Sequence, residues 1–172
     1  MNQSGDKPGG TSQLVIPEVE IGKVLGLIEV LKMKDGRADI YKLATELSME
    51  FGDTLAVVRG AELLKLVHTP GGDVVLEPLG EKVTKARINQ KKIIISEQML
   101  KLDVFQRIRD FLREKEGHEA AREEVLEKLA ELLPNENAEN TFANVVNWGR
   151  WAELFGYNDD SQSFYLDTGE AS

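Results

Sequence analysis

The feature of this sequence that most constrains its fold is an order of elements that occurs twice. Between residues 17 and 80, three stretches with apolar residues at helical spacing precede a hairpin pattern, and residues 103–168 show the same order. The first of these helices is predicted from apolar residues that fall on one stripe: Ile21, Val24, Leu25, Ile28 and Leu31. The duplication, in a chain of 172 residues, predicts two small units rather than one large layered domain.

The first half contains the signals that separate its elements. Asp39 is placed to cap the second helix, and Asp53 or Thr54 to cap the third. Residues 69–73 (Thr-Pro-Gly-Gly-Asp) have turn chemistry and lie between two short β-branched runs, which predicts a hairpin. Three short helices followed by a hairpin is the order of a winged helix, a variant of the helix-turn-helix.

The second half repeats that order with a break at Pro134 before its third helix and a turn over residues 158–163. Residues 61–64 (AELL) match residues 152–155 (AELF) at a shift of 91, and Val75-Leu76-Glu77 matches residues 165–167 at a shift of 90. The predicted fold class is therefore mostly α with small β-hairpins (α+β), with tandem winged-helix domains joined by a helical connector.

These patterns divide the chain into four parts. They are a flexible leader (1–16), a first winged-helix domain (17–80), a helical connector (81–102) that starts after the break Pro-Leu-Gly, and a second winged-helix domain (103–168). The connector has an apolar seam of Ile88, Ile95, Met99 and Leu102. Because fewer than three heptads are sustained, packing of this seam on its own domain is favoured over pairing with a partner helix.

Acidic charge is concentrated in the second half. The whole chain has 21 basic and 30 acidic residues, a formal charge of -9. Residues 17–102 have 13 of each sign, whereas residues 103–172 have 7 basic and 16 acidic residues. A protein that grips a phosphate backbone needs clustered cations, so nucleic acid is a disfavoured partner. No apolar run is long enough for direct membrane insertion, which favours a cytoplasmic location.

The sequence lacks the patterns that would define an active site. It has no cysteine, no GxxxxGK[ST] phosphate loop and no GxSxG nucleophile elbow. His68 and His118 are fifty residues apart and lack the further ligands that a tetrahedral metal site requires. We therefore expect no enzyme activity, no catalytic residue, no metal and no cofactor.

Two segments are candidates for an interface with another protein. The aromatic segment around Gly149 supplies residue types that are common in binding hot spots, although a core role for its rings is favoured: Trp148, Arg150, Trp151 and Tyr157. The connector supplies a basic cluster that would suit an acidic partner: Lys82, Lys85, Arg87, Lys91 and Lys92. Gly149 itself, in a helix of good formers, indicates a close approach of another element.

Three stretches resemble one known family, the AAA-associated C-terminal domain found after the ATPase of nitrate/sulfonate/bicarbonate-type ABC transporters. They are residues 21–29 (IGKVLGLIE), residues 75–80 (VLEPLG), and residues 147–155 (NWGRWAELF), which is the most specific. The similarity covers roughly residues 17–167. It implies a non-catalytic accessory or regulatory module that contacts an ABC-type ATPase subunit or self-associates as a homodimer, peripheral to the inner membrane through a transporter.

The resemblance transfers no catalytic residue and leaves alternatives open. The ATPase that normally precedes the domain is missing from this sequence, which is either an excised domain or a free-standing relative. A winged-helix transcriptional regulator is the main alternative, and it would use the wings and the basic connector to bind DNA. A small-molecule sensor between the two units is a third class, which no residue pattern supports.

Overall fold

The computed structural model describes residues 16–167. The first half contains α1 (Ile21–Met33), β1 (Arg37–Asp39), α2 (Ile40–Glu46), α3 (Phe51–Leu63), β2 (Val67–His68) and β3 (Asp73–Leu76). Two helices follow, α4 (Pro78–Lys85) and α5 (Ile88–Leu100). The second half contains α6 (Asp103–Glu114), β4 (Glu119–Ala121), α7 (Arg122–Leu132), α8 (Ala138–Trp151), β5 (Gly156–Asn158) and β6 (Ser163–Tyr165). The fold is thus mostly helical with small antiparallel sheets, as the sequence predicts.

Each half contains a three-stranded antiparallel sheet with the same connectivity. The strand orders are β1-β3-β2 and β4-β6-β5, so the hairpin of each half gains a third strand from the segment after the first helix. Arg37 pairs with Val75 in the first sheet, and Glu119 pairs with Tyr165 in the second. The sequence prediction missed β1 and β4 because three residues are too few to show an alternating pattern.

The backbone fixes how the halves correspond. The turn after α3 bonds Leu66 N–H to the Ala61 carbonyl, and the turn after α8 bonds Leu154 N–H to the Gly149 carbonyl. Lys65 and Glu153, one residue before each of those donors, have the same left-handed φ, 61° and 60°.

Ala61 therefore corresponds to Gly149, and the residue numbers here differ by 88. The shift of 91 predicted from residues 61–64 and 152–155 is therefore wrong. The predicted shift of 90 is confirmed between β3 and β6. The shift changes because the second hairpin is two residues longer: His68 pairs with Val75, but Gly156 pairs with Tyr165.

Two predicted helix starts are wrong, and one predicted cap is confirmed. Helix α3 begins at Phe51 rather than after Asp53 or Thr54, and the Thr54 hydroxyl is buried inside it, donating to the Glu50 carbonyl at 3.0 Å. Helix α4 begins at Pro78, where the sequence predicted a break. Proline is tolerated at the first helical position because the N–H that it lacks would have no hydrogen-bond partner within the helix there. The Asp39 carboxylate accepts from the first-turn N–H groups of α2, as predicted.

Both halves contribute to one continuous hydrophobic core. The segment 16–20 lies between them: Ile16 and Val19 are buried, and α8 satisfies the first N–H of α1 through a 2.8 Å bond from Ile21 N to Asn147 Oδ1. The flexible leader predicted for residues 1–16 lies outside the described residues except for Ile16. Helix α5 buries Ile95 and Met99 of the predicted apolar seam in this same core, and Leu102, just after the helix, is buried there too. Ile88, the first residue of the seam, is 56% exposed.

Candidate interaction surface

Trp148 is a core residue and offers no surface to a partner. Its side chain is fully buried, and its ring is parallel to that of Phe105 with centroids 6.2 Å apart. The indole N–H donates to the Val19 carbonyl at 2.8 Å, so the buried polar group is satisfied. A Cβ built on Gly60 would lie 3.5 Å from the indole, which places Trp148 where the two halves meet. The core role that the sequence favoured for this ring is the one it has.

The other predicted aromatic-segment residues separate into two environments. Tyr157 is buried in a second-half cluster, with its ring 4.8 Å from Phe164 and edge-on to Phe142, so it also offers no surface. Trp151 is half-buried, and Arg150 is exposed, with Nη1 3.5 Å from Asp159 Oδ2. Only these last two can contact a partner in this conformation.

Salt bridges within the chain hold three of the five basic residues predicted for the connector. Lys85 pairs with Glu81 at 3.0 Å, Lys91 with Glu29 at 3.1 Å, and Lys92 with Glu153 at 3.4 Å. Lys82 and Arg87 are exposed and have no ion pair among residues 16–167. The cluster is therefore partly neutralised, and its unpaired charge lies on α4 and at the start of α5.

Lysine cations also shift the ionisation of Glu81. This carboxylate accepts from Lys32 of α1 and from Lys85, and the two ammonium groups lower its pKa. The Lys32 contact joins α4 to α1. Because Glu81 is exposed, its two salt bridges hold α4 against α1 locally but contribute little to the free energy of unfolding.

The structure brings one predicted aromatic residue and one predicted lysine together. Lys92 Nζ lies 6.0 Å from the centre of the Trp151 ring, which links α5 to the end of α8. Nearby on α5, Ile88 is 56% exposed and Ile93 49% exposed. We call these two isoleucines, with Arg87, Lys92 and Trp151, the α5 surface. The sequence prediction did not single out Ile93, whose exposure depends on which face of α5 the core covers.

A second feature that sequence reasoning missed is an open groove beside the second hairpin. The groove has a volume of about 770 Å³ and includes one predicted residue, Arg150. Three arginines and a histidine contribute to its lining: Arg109, Arg113, Arg150 and His118. Arg109 and Arg113 are four residues apart on α6, a spacing visible in the sequence, but only the fold shows which surface they share with Arg150.

Other kinds of site are not formed by the described residues. Within residues 16–167 no three or more carboxylates and histidines are grouped in a way that could hold a metal ion. Over the same part of the chain, no helix is both long enough and apolar enough to cross a bilayer. His68 lies in β2 with Nδ1 2.7 Å from Glu77 Oε1, and His118 Nδ1 lies 3.0 Å from the Arg113 carbonyl.

These features define a small α+β protein with an exposed α5 surface and an open groove beside its second hairpin. Comparison with known families gives one match: the C-terminal AAA-associated domain, over residues 41–158. This match covers more than half of the chain, so the chain belongs to that family. No curated protein and no solved structure matches it.

Proposed function

We propose that this protein is a non-catalytic accessory domain that regulates the ATPase subunit of a nitrate/sulfonate/bicarbonate-type ABC transporter through protein-protein contacts. Membership of the AAA-associated family carries the proposal. The sequence has no phosphate loop of its own, so the ATPase would be a partner or a neighbouring domain. In this role the protein is cytoplasmic and reaches the inner membrane only through the transporter. It works without a metal or other cofactor.

The fold that we propose is a tandem winged helix. In each half a helix, a strand, two helices and a hairpin follow in the same order, and the two sheets have equivalent strand orders. In this interpretation α3 and α8 are the third helices, and the hairpins after them are the wings. Helices α4 and α5 then form the connector.

The charge on the third helices supports a protein partner over DNA. A DNA-reading helix has to neutralise phosphates and reach base edges. The exposed first turn of α3 carries Phe51 and Asp53, and that of α8 carries Glu139 and Asn140. Each of these helices has one exposed cation, Arg59 on α3 and Arg150 on α8, and one cation per helix provides too little positive charge for a duplex.

The α5 surface is the contact that we propose for the ATPase or for a second copy of the chain. It combines two exposed isoleucines and the unpaired cation of Arg87 with Lys92, which lies beside the half-buried ring of Trp151. Apolar anchors with arginine and tryptophan nearby are typical of protein-protein contacts. The basic charge indicates that the partner face is acidic.

The test is binding of the full chain to a purified importer ATPase subunit, with sedimentation velocity of the chain alone to measure self-association. Ile88→Ser with Ile93→Ser should weaken whichever association is observed at least tenfold. Tyr41→Ser is the matched control, because Tyr41 is 67% exposed on α2, a helix that packs on α3 and β1, and should bind normally. Absence of both associations at micromolar concentration would contradict the proposal.

A gel-shift series at low salt tests the DNA alternative, which the proposed winged-helix topology favours. We expect no shift with duplex DNA. Binding that weakens steeply as salt is raised would instead indicate phosphate contacts and support a transcriptional regulator.

A further inference from the structure

The groove beside the second hairpin occupies the position that α4 fills in the first half. A Cβ on Gly80 of α4 would overlap the Leu66 carbonyl and lie 2.8 Å from Leu76 Cδ1, so α4 packs directly on the end of the first hairpin. By the shifts of 88 and 90, the counterparts of these leucines are Leu154 and Leu166. Both line the groove.

The helix beneath the groove gives the same correspondence. Lys34 N–H bonds the Leu31 carbonyl at the end of α1, and Lys115 N–H bonds the Leu112 carbonyl at the end of α6. The residue numbers of these helices therefore differ by 81. Ile28 and Lys32, which share a stripe of α1, correspond to Arg109 and Arg113.

In the first half, that stripe is in contact with α4. Ile28 is fully buried, and Lys32 Nζ is 3.0 Å from Glu81 Oε1 of α4. In the second half the corresponding arginines line an open groove. Arg113 reaches Asp110 only at 3.5 Å, and Arg109 has no salt bridge within residues 16–167.

We propose that this groove binds an acidic amphipathic helix of a partner protein in the position that α4 takes in the first half. The hairpin side of the groove, with Leu154 and Leu166, would receive the apolar face of that helix. Carboxylates one turn apart on the helix would meet Arg109 and Arg113, because residues four apart lie on the same face. Guanidinium groups bind carboxylates through paired hydrogen bonds, which favours an acidic segment here.

The charges around the groove agree with this occupant. Arg109, Arg113 and Arg150 place three guanidinium groups around it, against the carboxylates of Glu153 and Asp167. The second half as a whole has more than twice as many acidic as basic residues, so a cationic groove there stands out from its surroundings. This site shares no residue with the α5 surface, but the two adjoin, since Glu153 of the groove pairs with Lys92. The substitutions that test them differ, so either proposal can fail without the other.

A peptide based on α4 supplies the probe. It comprises residues 76–87 of the chain with Glu77→Gln and Lys85→Glu, so that its two carboxylates lie four residues apart at positions 81 and 85. The matched control is the same peptide with Lys85 retained. Titration into the full-length 15N-labelled protein should shift the amide signals of Leu154, Leu166 and the arginines of α6. The substituted peptide should bind about fivefold more tightly than the control, since an attractive pair replaces a repulsive one.

Arginine variants distinguish this contact from non-specific binding of the peptide. Arg109→Gln with Arg113→Gln should remove the preference between the two peptides. Arg107→Gln, an exposed residue of α6 that does not line the groove, should leave the preference intact. Dispersed amide spectra establish that both variants remain folded.

Two results would overturn the proposal. The first is that groove signals do not move with the substituted peptide at millimolar concentration, or move equally with both peptides. The second is that millimolar inorganic phosphate shifts those signals while the peptides do not, which would make the groove an oxyanion site.

Discussion

Gly149 shows how a single missing side chain permits the packing of the second half. A Cβ at this position would overlap the Phe155 ring, which lies against α8 at the start of the second hairpin. The sequence predicted a close approach at Gly149, and the structure confirms it. The sequence could not identify the neighbour, because Phe155 reaches back only through the turn that follows α8.

A pair of glycine substitutions tests this contact. Gly149→Ala should destabilise the protein, by about 1–3 kcal/mol for overpacking. Gly26→Ala, in the interior of α1, should stabilise it by about 0.5–1 kcal/mol, because its Cβ meets nothing within 4 Å and alanine is the better helix former. Urea unfolding measures both changes. Equal effects of the two substitutions would show that helix propensity, not the Phe155 contact, determines the outcome.

At the scale of the element, α7 depends on a carboxylate in its own first turn. Ala121, the residue before α7, has no side-chain acceptor, and Glu124 Oε2 accepts its N–H at 2.8 Å. The Lys115 ammonium, which hydrogen-bonds Glu124, and then the Ala121 N–H lower the pKa of this carboxyl below 4.5. Both contacts favour the ionised form in the folded state.

The stabilisation from Glu124 should therefore depend on pH with a definite sign. Because its pKa is lowered by folding, the contribution is complete above about pH 4.5 and is lost as the pH falls through the folded-state value. The difference in unfolding free energy between wild type and Glu124→Gln should be present at pH 7 and shrink below pH 4.5. Glu127→Gln, exposed on the same helix, should show little difference at either pH. A Glu124 effect that grows in acid would contradict the assignment.

The elements also show what the sequence could and could not predict. Helices α1, α6 and α8 follow from apolar stripes, and the hairpins follow from turn chemistry between short apolar runs. Strands β1 and β4 have no local signature, since pairing with the hairpins defines them. The groove likewise has no local signature in the sequence. Arg109 and Arg150 come together only because α6 packs against the end of α8.

At the scale of the whole molecule, the two halves share a core and should unfold together. Val24 of α1 is fully buried, with Cγ2 2.9 Å from where a Gly60 Cβ would be, and Gly60 in turn is near Trp148 of the second half. Ile16 and Val19 fill the space between them. Contacts of this kind couple the stability of one half to that of the other.

Val24→Ala tests that coupling, because both tryptophans lie in the second half. The substitution should cost about 1–3 kcal/mol and lower the urea midpoint seen by tryptophan fluorescence as much as the one seen by far-UV circular dichroism. Val125→Ala, at a buried position of α7 in the second half, should likewise lower the fluorescence and circular dichroism midpoints by the same amount. A fluorescence midpoint that Val24→Ala leaves unchanged would mean that the halves unfold independently.

Gly60 and Trp148 are counterparts under the shift of 88, yet they are neighbours in the folded chain. At this position of the repeat, the first half therefore needs a residue without a side chain and the second half needs a large one. A chain made by joining two copies of the first half would leave a hole at the seam, and one made from two copies of the second would force two indoles into the room for one. The asymmetry at this seam makes the halves a matched pair that cannot be exchanged for one another.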